Sequence, residues 1–167
     1  EHFDTLSLAV NGIGSEVWSP SACARMGVIS LFCDDTTLIQ LARLSREKPV
    51  LVGRSDELAA CSADTLALYE RVSVLDDMAT SEDGEEAEQQ SLQGLNAKAF
   101  IQEVGWDTFL TVGSGNATQA ALANRKLVNN VEVFATITGK SSKVGSVENI
   151  LGAQGFGRLL HPFVAGD

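Results

Sequence analysis

Three short apolar segments, separated by helical patterns, constrain the fold of this chain more than any other feature. The segments at 27–33, 49–53 and 71–75 are rich in Val, Leu and Ile and are predicted to be buried strands. A pair of aspartates after the first segment can cap a helix, and the stretch from 55 opens a second helical pattern. Strands that alternate with helices at this spacing form βαβ units. The sequence therefore predicts an α/β fold with a mostly parallel sheet flanked by helices.

The first helix has the clearest signals. Asp34 and Asp35 can accept hydrogen bonds at its start, and its apolar face is predicted to carry Leu38, Leu41 and Leu44. Further strands are predicted at 6–10, 16–18 and 131–137. Two more, at 97–104 and 108–112, flank a Gly-Trp-Asp turn and form a β-hairpin. Short helices are predicted at 117–126, 147–151 and 156–160.

The length and composition are those of one globular domain. The chain has 167 residues, of which 44% are hydrophobic and 20% charged, so it can bury a core without a disulfide or a structural metal. We predict an N-terminal segment at 1–26 and one domain at 27–167. No apolar run is long enough to span a membrane. The chain begins with Glu1 rather than Met, so we expect a piece of a longer protein.

The charge is distributed unevenly along the chain. The total is −10, but residues 1–94 hold 17 acidic and 6 basic residues, whereas residues 95–167 hold 5 acidic and 6 basic residues. A strongly acidic surface repels phosphates, so an anion-binding site is expected in the second half. Residues 79–93 are polar and acidic and are predicted to form a mobile surface loop.

The three cysteines, at positions 23, 33 and 61, are an odd number without C-x-x-C spacing. This pattern favours free thiols in a reducing compartment, so we expect a cytoplasmic protein.

Several residues with functional groups suited to binding or catalysis lie close together in the second half of the sequence. Asn96 and Lys98 are two residues apart, so on a strand they would share a face. Ser114 and Asn116 follow the next strand, and Glu132 lies on the strand after that. An ammonium group, a hydroxyl and a carboxamide around one point can hold a phosphate.

These residues also resemble a known family. Asn96-Ala97-Lys98 with Glu103, then Gly113-Ser114-Gly115-Asn116, then Asn130-Val131-Glu132, resemble the phospholipase D superfamily. Its motifs are His-x-Lys-x4-Asp, Gly-Ser-x-Asn and Asn-x-Glu, in this order and spacing. The resemblance covers about residues 27–140. The Gly-Trp-Asp turn and the Asp-Asp pairs look most like a bacterial branch of nuclease-like domains, whose members are often linked to helicases or to defence against foreign DNA.

The resemblance implies a metal-independent phosphodiesterase that works through a phosphohistidine intermediate and needs no cofactor. Lys98 would hold a phosphate oxygen, and Ser114 and Asn116 would donate hydrogen bonds to the same phosphate. Glu132 would orient the histidine. Glu103, at the aspartate position, would have a supporting role.

One departure from the family pattern changes the expected activity. Asn96 occupies the histidine position, and a carboxamide nitrogen has no free lone pair with which to attack phosphorus. We therefore expect the chain as written to be inactive, either through an engineered replacement of histidine or as a natural pseudoenzyme. Neither His2 nor His161 lies in a second motif. A complete site would need a homodimer or a second motif copy in a longer parent chain.

Two functions remain open at this stage. One is a nuclease domain that acts on DNA rather than RNA, with Lys140, Lys143 and other basic residues around its site. The other is a non-catalytic module that binds phosphate or nucleic acid, or assembles with a helicase or defence protein. A lipid substrate is disfavoured because no basic amphipathic helix is visible, so we expect no membrane partner.

Overall fold

The computed structural model describes residues 3–13, 17–75, 97–122 and 130–165. Eight strands of these residues form one sheet in the order β1-β7-β6-β5-β2-β3-β4-β8. The strands are β1 (Thr5–Asn11), β2 (Arg25–Ile29), β3 (Val50–Gly53), β4 (Arg71–Leu75), β5 (Ala99–Val104), β6 (Asp107–Gly113), β7 (Glu132–Lys140) and β8 (Leu160–Pro162). The helices are α1 (Asp35–Leu44), α2 (Ser55–Ala60), α3 (Ala63–Leu66), α4 (Gln119–Leu122), α5 (Ser141–Val144) and α6 (Val147–Leu151).

The prediction of a mostly parallel sheet is wrong, although the fold is mixed α/β as expected. Only the neighbours β2–β3 and β3–β4 are parallel among the seven strand pairs of the described residues. Helical crossovers link these three strands, and such connections produce parallel neighbours. A tight hairpin instead joins β5 to β6, and β7 and β1 continue the sheet in antiparallel register. β5 then pairs antiparallel with β2, which the local pattern of the chain did not indicate.

The prediction for the first helix is confirmed. Asp34 is the N-cap of α1, and its Oδ1 accepts a hydrogen bond from the Thr37 amide at 2.8 Å. Leu38 and Leu41 are buried on the inner face of the helix. The helix ends at Leu44, where the chain turns toward β3.

Three other local predictions need correction. The strand predicted at 27–33 ends at Ile29. The Ser30 amide still donates to the Val52 carbonyl of β3 at 3.0 Å, but its hydroxyl bonds to backbone groups of the loops beyond the strand. The helical pattern that begins at 55 is divided into α2 and α3 by an extended residue at Cys61. The helix predicted at 156–160 is a short 3-10 helix that passes into β8, the edge strand beside β4.

Helices cover the two faces of the sheet unequally. On one face, Val28, Phe100 and Phe134 pack with α1 and α2 in a core that also receives Trp18, whose ring stacks on Phe134 at 4.4 Å. Trp18 lies in an irregular segment and not in the strand predicted at 16–18. On the other face, the core around Ile101 is covered by α6.

The outer part of this second face carries exposed apolar side chains. In the β1–β7 register, Leu8 pairs with Ala135 and Val10 with Val133, so these residues share one face. Leu8 is 73% exposed. No helix among the described residues is long and apolar enough to cross a membrane.

Some predictions fall outside the described residues. These are the acidic loop at 79–93, position 96 and the second half of the helix predicted at 117–126.

Candidate phosphate site at one end of the sheet

The strand register gathers the predicted residues at one end of the sheet. β2 and β6 run toward this end, whereas β5 and β7 run away from it. Ile29 of β2 pairs with Ala99 of β5, and Ala99 pairs with Val112 of β6. The next residues toward this end of the sheet therefore lie side by side on three neighbouring strands: Ser30, Lys98 and Gly113. Glu132 begins β7 on the next strand. Gly113 pairs with Phe134, so Glu132 lies two strands across and two residues beyond the level of Lys98, or ~12 Å from it, although the two are 34 positions apart in the chain.

Lys98 is fixed through its backbone. Its carbonyl oxygen accepts a hydrogen bond from the Gly113 amide at 3.4 Å, and its side chain is half-buried. Continuing the alternation of β5 back by one step places Lys98 on the face that carries Phe100. Glu132 and Phe134 share this same face of β7.

Ser114 and Glu132 are in direct contact. The Ser114 hydroxyl donates a short hydrogen bond to Glu132 Oε2 and accepts one from the Val133 amide at 3.0 Å. The Asn130 carboxamide donates to Glu132 Oε1 at 3.3 Å. Glu132 is only 8% exposed, and these donors replace the water that its carboxylate loses on burial.

Asn116 is oriented by the loop that follows β2. Its Oδ1 accepts a hydrogen bond from the Phe32 amide at 3.2 Å, which leaves the NH2 group directed away from that amide. An NH2 group in this position can donate to an anion. The sequence predicted Asn116 at this end of the sheet, but it did not indicate the bond to Phe32.

The same loop is tied to the segment after β6 by two further side chains. Ser30, which is 1% exposed, accepts a hydrogen bond from the Ala117 amide at 2.8 Å and donates to the Phe32 carbonyl at 2.6 Å. Asp34 Oδ2 accepts from the Gln119 amide at 2.8 Å. Ser30 was not predicted as a site residue, because a serine after an apolar run is typical of any strand end.

A buried asparagine, also missed, supports the far side of the cluster. Asn11 pairs with Glu132 in the β1–β7 register and is fully buried. Its carboxamide bonds to both backbone groups of Trp18, at 2.7 and 2.9 Å. The only signal in the sequence was an asparagine directly after a predicted strand, and the sequence does not show that this asparagine is buried.

Several predicted residues lie elsewhere. Glu103 is about 17 Å along β5 from Lys98, and its Oε1 accepts a hydrogen bond from the Val147 amide at 2.7 Å at the start of α6. Lys140 ends β7 at the opposite end of the sheet and pairs with Asp107 at 2.8 Å, so the expectation that it surrounds the site is wrong. His161 lies on β8, four strands from β5.

Two thiols lie behind the loop that follows β2. Cys33 and Cys61 are free, with their sulfur atoms 3.7 Å apart. Burial raises the pKa of the Cys33 thiol, and the neighbouring Cys61 adds to the shift. Burial also raises the pKa of Cys61. Both groups are therefore held as neutral thiols and not as reactive thiolates.

No metal-binding group of three or more His, Cys, Asp or Glu residues occurs in the ranges that the structure covers. The functional groups of the site are instead an ammonium side chain, a hydroxyl, a carboxamide and a buried carboxylate. Such a set can bind an oxyanion and orient a neighbouring group.

No family model and no curated protein matches the sequence. Two crystal structures of mutants of a yeast tyrosyl-DNA phosphodiesterase are similar to this chain, with TM-scores of 0.43, at 12% and 13% identity. The matches cover 79% and 71% of this chain but only 30% and 26% of those proteins.

Proposed function

We propose that this chain is one half-site of a metal-independent phosphodiesterase of the phospholipase D kind, a nuclease domain whose natural partner is DNA. The convergence of Lys98, Ser114, Asn116 and Glu132 from three strands on one end of the sheet supports this proposal most directly. Lys98 and Asn116 hold the phosphate oxygens. Glu132 orients the group at position 96, and Glu103 supports the strand from a distance.

The proposed reaction requires a histidine at position 96. Its imidazole nitrogen attacks phosphorus, a P–N bond forms, and the P–O bond to the leaving group breaks. A second histidine, from another copy of the chain or from a longer parent, protonates the departing oxygen. Water then hydrolyses the P–N bond. Lys98 stabilises the charge on the phosphoryl oxygens throughout, which is the electrostatic role that a metal ion has in other phosphodiesterases.

Ser114 has a double role in this scheme. Its hydroxyl donates a hydrogen bond to Glu132. When phosphate binds, the hydroxyl turns to a phosphate oxygen, while its contact with the Val133 amide keeps the oxygen atom in place.

The test is an Asn96→His variant, studied at concentrations that favour dimers and in the full-length parent. It is expected to cleave DNA and a generic phosphodiester such as bis(p-nitrophenyl) phosphate, with no loss of rate in EDTA. Asn96→Gln, which keeps a carboxamide, is the matched control and stays inactive. If Asn96→His cleaves neither DNA, RNA nor the generic diester, the enzyme proposal is wrong.

The second candidate is a non-catalytic module that binds phosphate or nucleic acid, as part of a helicase or defence assembly. The presence of Asn96 in the chain favours it. Natural Asn at codon 96 of the parent gene, together with phosphate binding that depends on Lys98, would support this module over the enzyme. Natural His would support the enzyme.

A further inference from the structure

An exposed aromatic ring lies beside the candidate phosphate site and has no role in the proposed reaction. Phe32 is in the loop after β2 and is 41% exposed. Its amide donates to the Asn116 carboxamide oxygen at 3.2 Å, and its carbonyl accepts from Ser30 at 2.6 Å. The backbone that carries the ring is therefore held by the same Asn116 that is proposed to contact phosphate.

An arginine covers one side of this ring. Arg54 follows β3, the strand next to β2, and its guanidinium carbon lies over the Phe32 ring at 5.8 Å from the centroid. The guanidinium is itself held by Asp56 at 2.5 Å. A cation over one face of an aromatic ring stabilises the position of the ring. The exposed surface of Phe32 is then the opposite face and the edge of its ring.

The charges around the ring favour a neutral ligand over a phosphate. Asp34 and Asp35 follow Phe32 in the chain after a single residue, Cys33, so this side of the site is acidic. Both carboxylates are engaged with backbone amides, Asp34 with Thr37 and Gln119, and Asp35 with Ser62. An anionic backbone would be repelled here, whereas a flat, uncharged heterocycle can stack on a fixed aromatic face.

We propose that Phe32, backed by Arg54, is a stacking platform for an unpaired nucleobase whose adjoining phosphate lies on Lys98 and Asn116. This inference rests on the proposed phosphate site, and it narrows the substrate class to single-stranded nucleic acid or an unpaired strand end. A base inside a duplex cannot reach the ring, because both of its faces are already stacked. The acidic residues beyond Phe32 disfavour further phosphates on that side.

The experiment compares two ligands on the intact chain at one fixed, low salt concentration. One is a fluorescent oligothymidylate, and the other is an abasic phosphodiester oligomer of the same length. Phe32→Leu keeps an apolar side chain but removes the π face, and it is expected to weaken oligothymidylate binding by roughly 5- to 150-fold. The abasic oligomer should bind Phe32→Leu as it binds the unaltered protein. Phe32→Trp, which restores a larger aromatic face, should bind oligothymidylate at least as well as the unaltered chain.

The matched control is Trp106→Leu. Trp106 is also an exposed aromatic, at 86%, but it lies in the hairpin turn at the other end of the sheet. Its loss should leave both affinities unchanged. If Phe32→Leu weakens both ligands equally or neither, or if Trp106→Leu has the same effect, the stacking proposal is overturned.

A Lys98→Ala variant separates this inference from the proposed function. It is expected to lower the affinity for the abasic oligomer, whose binding depends on phosphate contacts alone. If Lys98→Ala leaves the affinity for the abasic oligomer unchanged while Phe32→Leu still lowers the affinity for oligothymidylate, the proposed phosphate site is wrong and the stacking platform is supported. If the unaltered chain binds both ligands equally, the platform fails and the phosphate site stands. If it binds neither ligand, both proposals fail.

Discussion

The two ends of the β5–β6–β7 part of the sheet carry the same residue types: a lysine, an aspartate and an exposed aromatic ring. At the hairpin end, Lys140 and Asp107 form a surface ion pair at 2.8 Å, and Trp106 is 86% exposed. These residues come from one hairpin and the strand beside it. Lys140 and Asp107 contact each other at the surface, and the Trp106 carbonyl accepts a hydrogen bond from the Ser141 amide at 2.9 Å.

At the other end, the same types are tied into a network from several chain segments. Asp34 joins the start of α1 to the segment that begins α4, and the Phe32 amide bonds to Asn116. Ser114 and the buried Glu132 close the network on β7. The comparison teaches that residue types do not distinguish a site from a surface. Side chains held by hydrogen bonds between distant chain segments, including bonds to the buried Ser30 and Glu132, do.

The largest expected difference between the two ends is catalytic. In an Asn96→His background, Lys98→Ala removes the cation proposed to stabilise the phosphoryl oxygens, and it should lower kcat by roughly 10²- to 10³-fold. Lys140→Ala removes a lysine that lies about 27 Å along β7 from Glu132 and should leave kcat unchanged. Initial rates with bis(p-nitrophenyl) phosphate in EDTA provide the measurement. Equal losses in the two variants would remove the functional distinction between the ends.

The next difference concerns the glycines at each end. A methyl group on Gly113 would clash with the Val133 carbonyl and approach the Phe134 ring to 2.8 Å, so Gly113→Ala should destabilise the fold by about 3 kcal/mol. Gly105 has a φ of +62° and no atom within 4 Å of such a methyl group. Gly105→Ala should therefore lower the free energy of unfolding by only about 1 kcal/mol, because its one unfavourable feature is the left-handed backbone conformation. Urea unfolding of the two variants measures both costs, and similar values would show that the ends are packed alike.

Local sequence patterns predicted most of the elements but not their arrangement. The cap of α1 by Asp34 and the strand at 71–75 could be predicted because capping and apolar runs act over a few residues. The pairing of β5 with β2 depends on residues about 70 positions apart, and no local pattern encodes it. β8 was missed because three residues are too short to show alternation.

The candidate site was predictable to a similar extent. The spacing of Lys98, Ser114 and Glu132 matched a motif, and the register brings these residues to one end of the sheet. The direct contact of Ser114 with Glu132 and the support from Asn11 could not be predicted. They depend on where β7 and β1 pair, and this register is fixed by the whole sheet.

A smaller difference is expected for the aspartates. Asp34→Ala removes the N-cap of α1 together with the contact to Gln119, and it should destabilise the fold by about 1–2 kcal/mol. Asp107→Ala removes only a surface partner of Lys140 and should cost at most about 0.5 kcal/mol. Thermal or urea unfolding at neutral pH distinguishes the two. A loss at Asp107 as large as that at Asp34 would show that the hairpin end also depends on its polar contacts.

The smallest effect is a loss of stability that begins only in alkali. Burial, with a further contribution from Cys61, raises the pKa of Cys33 above the ordinary thiol value of 9.0, so the folded chain keeps a proton that the unfolded chain releases. The stabilisation is complete below about pH 9 and is lost as the pH rises toward the folded pKa. At the hairpin end, the hydrogen bond to Asp107 raises the pKa of Lys140 above 10.5, so its contribution is lost only at still higher pH.

The two ends should therefore lose stability in different pH ranges. Urea unfolding under reducing conditions at pH 7, 8, 9 and 10 is expected to show a fall in stability above pH 9 that is smaller in Cys33→Ala than in the unaltered chain. Asp107→Asn should closely follow the unaltered chain over this range, because Lys140 is mostly protonated in both the folded and the unfolded state up to pH 10. A fall of the same steepness in Cys33→Ala would mean that the thiol beside the candidate site is not the group that titrates.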